Sequence, residues 1–360
     1  MRNSGRYLAH PDYTLSTTQV YQKTAWDIIK TTKSLSDLAP YVLGNVRNDL
    51  PSWVPDWSAT NGYTYRDHAE STKLYNATGS DLPSIHVYED HVLQMPGFWI
   101  DRIASIGDTM LSDGDIDIRV LFQWYQHFIV HFQIDRNPEA FNMGDAFWRT
   151  LCADLVAVHS EAHDQESISD LTFRRANDFD LPLFASWCAN SSSSPFREYC
   201  DRVVGDELRL EYEHCRAHFT RIGHPRTEEQ FREISKAYYS FVSPIGVPRV
   251  DTTSLLIRII LGHALSQPLP PREHTAAMSS PIKYATFRRK IFITRENFIG
   301  LGPAEMKVDD QIYLLQGSRT PFIPRQAKEE CINGLLKRYY QLVGDCYMHG
   351  VMDGEALARV

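Results

Sequence analysis

The 360-residue chain has no CxxC pair, no uninterrupted apolar run of membrane-spanning length and no surplus of basic residues. Its six cysteines, Cys152, Cys188, Cys200, Cys215, Cys331 and Cys346, are scattered without a disulfide or zinc framework. That usage points to ordinary thiols in a reducing compartment. The most apolar stretches, Val120–Phe132 and Leu255–Leu265, are broken by Gln, His or Arg, short of the roughly 20 apolar residues a span requires. The first residues, MRNSGRYLAHPDYTLST, contain no apolar signal core, so the sequons at Asn76 and Asn190 carry no expectation of glycosylation. A formal net charge of −8 argues against bulk phosphate neutralisation, and hence against a nucleic-acid binder. GxSxG, phosphate-loop and dinucleotide fingerprints are all missing from the sequence, so no cofactor is expected. With 43% hydrophobic and 12% aromatic residues, the chain has enough apolar surface to bury a sizeable core. Composition predicts a folded, cytosolic protein and does not assign its activity.

What is present organises the chain into three stretches. Ser16 followed three residues later by Gln19 forms a capping box, which predicts a helix over 16–33. The segment Pro51-Ser52-Trp53-Val54-Pro55-Asp56-Trp57-Ser58 reads as a rigid, extended loop, since each proline pushes its predecessor out of the α region. Strand-like runs follow at His91–Met95 and Phe98–Ile103. From about Ile116 to Leu265 the pattern is helical, with candidates at Ile118–Phe132, Asp145–His163, Pro195–Phe219, Glu228–Val242 and Thr252–Leu265. Beyond Pro281 period-two patterning returns, in runs at Lys290–Thr294, Phe298–Leu301, Gln311–Gln316, Pro321–Pro324 and Tyr340–Tyr347. Short turns between them favour antiparallel pairing. The expected fold is therefore α+β: a small antiparallel β-barrel or twisted sheet built from both ends of the chain, with a helical insertion. The expected divisions are 1–110, 111–280 and 281–360, the last completing the sheet of the first.

Several segments, in order, resemble fungal heterokaryon-incompatibility (HET) proteins. They are His10-Pro11-Asp12-Tyr13, Leu50–Ser58 (LPSWVPDWS), Tyr75-Asn76-Ala77-Thr78-Gly79, Phe147–Leu155 (FWRTLCADL), Phe292–Pro303 (FITRENFIGLGP) and Tyr340–Glu355 (YQLVGDCYMHGVMDGE). The resemblance runs from near Asp12 to the end and is vaguer between about Asp164 and Ser280. It corresponds to the region downstream of the family's N-terminal, TIR-like effector domain. That domain's Tyr-Trp-Gly and Asp-Ala-Leu-Cys-Ile-Asn/Asp-Gln segments do not occur in this sequence. The resemblance therefore implies a chain without that domain, and it offers no positions onto which the family's cell-death residues can be carried.

The candidate site combines the WVPDW loop with the C-terminal segment. Trp53, Trp57 and Tyr347 are expected to wall an apolar pocket, while His349, Asp353, Glu355 and Asp56 would supply acid/base groups. The opposing interpretation is that the two tryptophans fasten the loop to the core and that Gly350 and Gly354 mark turns. Three histidine pairs at i, i+4 (His127/His131, His159/His163, His214/His218) and the Asn190/Ser194/Glu198 spacing, which matches a magnesium motif of terpene cyclases, fall short of a metal site. Cys346 beside Asp345 is a weak nucleophile candidate in an apolar strand. Two function classes follow. In one, the chain is an accessory or recognition portion of a HET-type protein, acting on a protein partner. In the other, it is a stand-alone, cofactor-independent cyclase, isomerase or hydrolase that acts on an apolar small molecule of fungal secondary metabolism. Neither involves nucleic acid or membrane, and the oligomeric state is left open.

Overall fold

A computed structural model describes residues 12–39, 47–59, 65–79, 85–88, 91–111, 116–132, 141–158, 172–181, 183–184, 187, 276–332 and 334–359. The helices are α1 (Thr17–Thr32), α2 (Tyr65–Thr72), α3 (Ile118–Phe132), α4 (Phe141–Leu151) and α5 (Ala276–Thr286). The strands are β1 (His86–Tyr88), β2 (Val92–Gln94), β3 (Gly97–Ile106), β4 (Leu155–Val158), β5 (Thr172–Arg175), β6 (Arg289–Thr294), β7 (Ile299–Pro303), β8 (Gln311–Leu315), β9 (Phe322–Ile332), β10 (Leu335–Asp345) and β11 (Tyr347–Met348). The helices expected at Pro195–Phe219, Glu228–Val242 and Thr252–Leu265 lie outside the described residues, as do the histidine pairs at 159/163 and 214/218 and the Asn190/Ser194/Glu198 spacing.

The chain divides into two compact units, Met1–Thr109 with Arg288–Val360, and Met110–Phe287. The first is built on a seven-stranded, open antiparallel sheet in the order β10-β9-β8-β3-β6-β7-β11. β3 holds it together: Gly97–Arg102 pair with β8 and Ile103–Ile106 with β6. Side chains alternate across a pleated strand, and this alternation sorts the core into two clusters on opposite faces. Phe322, Leu315 and Leu342 pack with Ala25 and Ile29 of α1 and with Trp53 and Val54. Their neighbours Ile323, Leu314 and Val343 pack with Ile103, Phe292, Cys346 and Met348. The fold is thus mixed α+β around an antiparallel sheet.

The local grammar explains each element. Ser16 Oγ accepts the Gln19 N–H, and the Gln19 side chain accepts the Ser16 N–H at 2.9 Å, closing both halves of the capping box. α1 ends at Lys33, which takes the left-handed conformation and donates its N–H to the Ile29 carbonyl. Segment 51–59 is not extended. It folds as two successive turns closed by Val54 N–H to Pro51 O and Ala59 N–H to Asp56 O, and the Asp56 carboxylate braces the second by accepting from both Ser58 N–H and Ser58 Oγ. β9 runs eight residues past the run expected at Pro321–Pro324, and β10 begins five residues before the one expected at Tyr340–Tyr347. Their outer halves carry charge on an exposed ribbon, so the apolar alternation that marks a half-buried strand is absent.

In the second unit, α3 occupies the segment its apolar stripe predicts. Trp124 and Phe128 are buried, and the Phe128 and Phe147 rings lie 5.1 Å apart. The helix expected over Asp145–His163 is instead α4, ending at Leu151, followed by strand β4 paired antiparallel with β5. Ala153 and Asp154 both adopt positive φ, which stops the helix. Arg149 fastens the reversal, reaching Asp145 at 2.8 Å, Asp154 at 2.6 Å and the Ala176 carbonyl at 3.1 Å. Arg175 reaches the other Asp154 oxygen at 2.7 Å.

Candidate functional site

Trp53 is 6% exposed, and its indole N–H donates to the His91 carbonyl at 3.0 Å. Trp57 is half-buried and meets Tyr21 of α1 edge-on, ring centroids 5.2 Å apart. Asp56 is buried and spends its oxygens on Ser58 and on the Arg47 N–H. This loop joins β10 directly, since Ser52 Oγ accepts the Leu342 N–H at 2.9 Å.

The C-terminal candidates occupy a separate setting. The Tyr347 hydroxyl lies 3.1 Å from His349 Nδ1, while the Tyr347 ring faces Tyr75 at 6.1 Å. Glu355 accepts the Asp353 N–H, and both residues are exposed. Gly350 and Gly354 take positive φ at +75° and +91°, marking turns. The Tyr75–Gly79 segment is seated against this stretch by Asn76 N–H donating to Met352 O, and against the turn after β8 by Thr78 Oγ1 donating to Ser318 O.

A cleft of about 360 Å³ does exist in the first unit. Its lining includes Trp53, His91, Tyr313, Arg338, Tyr339 and Tyr340. Of the seven candidate residues, Trp53 alone lines it. Tyr313 donates to Gln311 Oε1 at 3.0 Å and stands 3.5 Å from the Tyr340 hydroxyl, the two rings at 63°. Burial, followed by the bond to Tyr340, pushes the Tyr313 phenol up to about 12, so it is a neutral hydroxyl at physiological pH.

Sequence reasoning missed a buried ionic cluster. Asp345, 1% exposed, receives Arg289 Nη2 at 2.8 Å and meets His68 Nε2 at 2.8 Å. Arg289 Nη1 also donates to the Asp345 carbonyl at 3.1 Å. Burial raises the Asp345 carboxyl, but the charges of Arg289 and His68 and their hydrogen bonds outweigh it and hold the group well below its ordinary range. With its oxygens taken by two partners, the carboxylate ties α2, β6 and β10 together; it is not placed to move protons. The adjacent Cys346 thiol is fully buried and driven upward by burial and by Asp345, which makes it an inert sulfhydryl. Among the described residues no group of three His, Cys, Asp or Glu side chains is arranged to hold a metal. Nor is any described helix long and apolar enough to cross a membrane.

Residues 272–360 match the family model described as the Het-6 beta-barrel domain. Over 365 aligned residues the chain is 22% identical to "Heterokaryon incompatibility protein 6, OR allele" of Neurospora crassa, an alignment covering 96% of this chain and 45% of that protein. The chain thus spans about half the length of the curated relative it matches. No solved structure matches it.

Proposed function

We propose, from the premise that this is a heterokaryon-incompatibility-type protein carrying a Het-6 β-barrel domain, that it serves as an accessory or recognition portion acting through protein contacts. The observation that supports this is the β9–β10 arm. Beyond Phe322, β9 pairs with β10 and with no other described strand. Residues from Gln326 to Glu329 and from Leu336 to Arg338 are exposed. An isolated two-stranded ribbon is marginally stable in water, and cross-strand pairs such as Arg338–Glu329 at 3.0 Å add little at the surface. A ribbon kept despite that cost suits a contact surface, and Leu336, 58% exposed, puts an apolar side chain on it. The acid/base candidates Asp56 and Glu355 meanwhile accept hydrogen bonds from local backbone.

The test replaces residues 326–340 by Asn-Gly, closing the hairpin between Arg325 and Gln341. Full and trimmed chains are expressed in Neurospora crassa and challenged to form heterokaryons with a strain carrying the OR allele. The full chain is expected to slow heterokaryon growth, and the trimmed chain is expected to lose that effect while still melting cooperatively. Equal growth with and without the full chain, or an undiminished effect from the trimmed one, rejects the reading.

A second reading, the cofactor-independent enzyme on an apolar small molecule, draws on the aromatic cleft, where His91 is the one imidazole among the lining residues. Under it, expression of the chain changes the host's apolar metabolite profile by mass spectrometry, and His91→Ala reverses the change. An unaltered profile removes this reading.

A further inference from the structure

We infer that the cleft between the WVPDW loop and the base of the β9–β10 arm is a binding site for a small apolar molecule bearing one carboxylate. The inference stands apart from the protein-contact reading, since the cleft can be filled whatever the arm contacts. Three observations carry it.

The first is the shape and lining of the cleft. Its volume of about 360 Å³ lies near the small end of the roughly 300–1,000 Å³ that small-molecule pockets span. Trp53, Leu93, Met95, Leu315, Pro324 and Leu342 form an apolar floor. A flat hydrocarbon or ring system buried there leaves water without displacing a hydrogen bond of the protein, because the Trp53 N–H is already given to His91 and Ser52 Oγ already accepts from Leu342.

The second is a pair of neighbouring tyrosines that line the cleft beside a bulge. Consecutive residues of a regular strand face opposite sides, yet Tyr339 and Tyr340 both line it. At this point the ladder runs from Tyr339↔Lys328 to Tyr340↔Gln326, so β9 carries one residue more than β10. The unpaired residue is Ala327 of β9, and bulges are enriched beside active sites.

The third is charge. Arg338 lines the cleft, and its positive charge acts on Tyr313 and Tyr340. It spends Nε on Glu329 at 3.0 Å, and its two terminal amino groups have no hydrogen-bond partner among the described residues. Those two donors match the two oxygens of a carboxylate. In a chain of net charge −8, an arginine at an aromatic cleft selects an anion locally against the overall field.

The experiment is calorimetric titration of the full chain with 2-naphthoate and with its uncharged counterpart, 2-naphthamide. The acid is expected to bind at least tenfold tighter than the amide. Arg338→Gln, an exposed substitution, should erase that preference by weakening the acid about tenfold while leaving the amide unchanged. Glu329→Gln removes the competing carboxylate and should tighten the acid severalfold, an effect that a purely structural Arg338–Glu329 pair would not produce. Equal affinity of acid and amide, no heat from either at millimolar concentration, or a preference that survives Arg338→Gln would each overturn the proposal.

Discussion

Replacing Asp345 by Asn should be among the most damaging single changes in the first unit. It leaves the Arg289 guanidinium, 4% exposed, without its counter-charge, and breaking one side of a buried pair typically costs about 3–5 kcal/mol. Urea denaturation checks this, and Asp345→Asn should lose far more stability than Asp353→Asn at the exposed end of the chain. The same residue sets an acid limit. Its carboxyl is lowered from an ordinary value of 3.8, so the folded state binds that proton later than the unfolded chain does. The stabilisation is complete above the unfolded value, declines as pH falls past it, and is lost once pH has fallen through the folded value. Denaturation midpoints measured between pH 7 and pH 2 should therefore fall in wild type below about pH 4, and fall less in Asp345→Asn. Nothing in the sequence marks this cluster. His68, Arg289 and Asp345 are ordinary charged residues until the fold brings together positions 277 residues apart. The nearest hint was an aspartate inside an apolar, strand-like run.

Among the elements, β7 is the least tolerant of side-chain additions. Gly300 lies opposite both Phe292 and Met348, and a methyl group there would meet the Phe292 ring and the Tyr347 carbonyl oxygen. A backbone carbonyl inside the sheet has little room to yield, so Gly300→Ala should destabilise by at least the roughly 1–3 kcal/mol of core overpacking, read as a lower denaturation midpoint. At α1, Ser16→Ala removes one half of the capping box and should cost about 1 kcal/mol by the same measurement. These two sites show which elements a sequence reveals. The capping box at Ser16 and Gln19 and the apolar stripe of Ile118–Phe132 are local signals, and the helices appear where those signals lie. β8 was legible because its burial alternates in period two, and β6 because it is a short, largely buried apolar run. The outer halves of β9 and β10 were not, because Lys328, Glu329, Glu330, Lys337 and Arg338 read as solvated polypeptide. The overlooked signal was the Asn333-Gly334 dipeptide, a strong short-range hairpin marker; Gly334 indeed adopts φ +79°. Of the candidate pocket, only Trp53 reached the cleft. The partners it found there, Tyr313, Tyr339 and Tyr340, depend on strand register, which is not written in composition or spacing.

At the scale of the whole molecule, the matched domain and the folded sheet do not coincide. Residues 272–360 supply β6 to β11, but β3, which joins β8 to β6, comes from Gly97–Ile106. Without it the sheet separates into β10-β9-β8 and β6-β7-β11. A 272–360 fragment is therefore expected to lack a cooperative melt, and addition of a 1–111 fragment should restore one by completing the sheet. Cooperative unfolding of 272–360 alone would contradict this. The arrangement also bears on synthesis. β3 leaves the ribosome roughly 180 residues before Arg289 of β6, a wait of about 10–40 s at typical elongation speeds of roughly 5–20 residues per second. During that interval both of its edges are without their ladder partners, with Phe98 and Trp99, side chains that remain 40% and 52% exposed even in the finished fold. A nascent chain in that condition is open to intermolecular strand pairing. Its yield in the cell should then depend on holdase chaperones that occupy β3 until the C-terminal strands emerge.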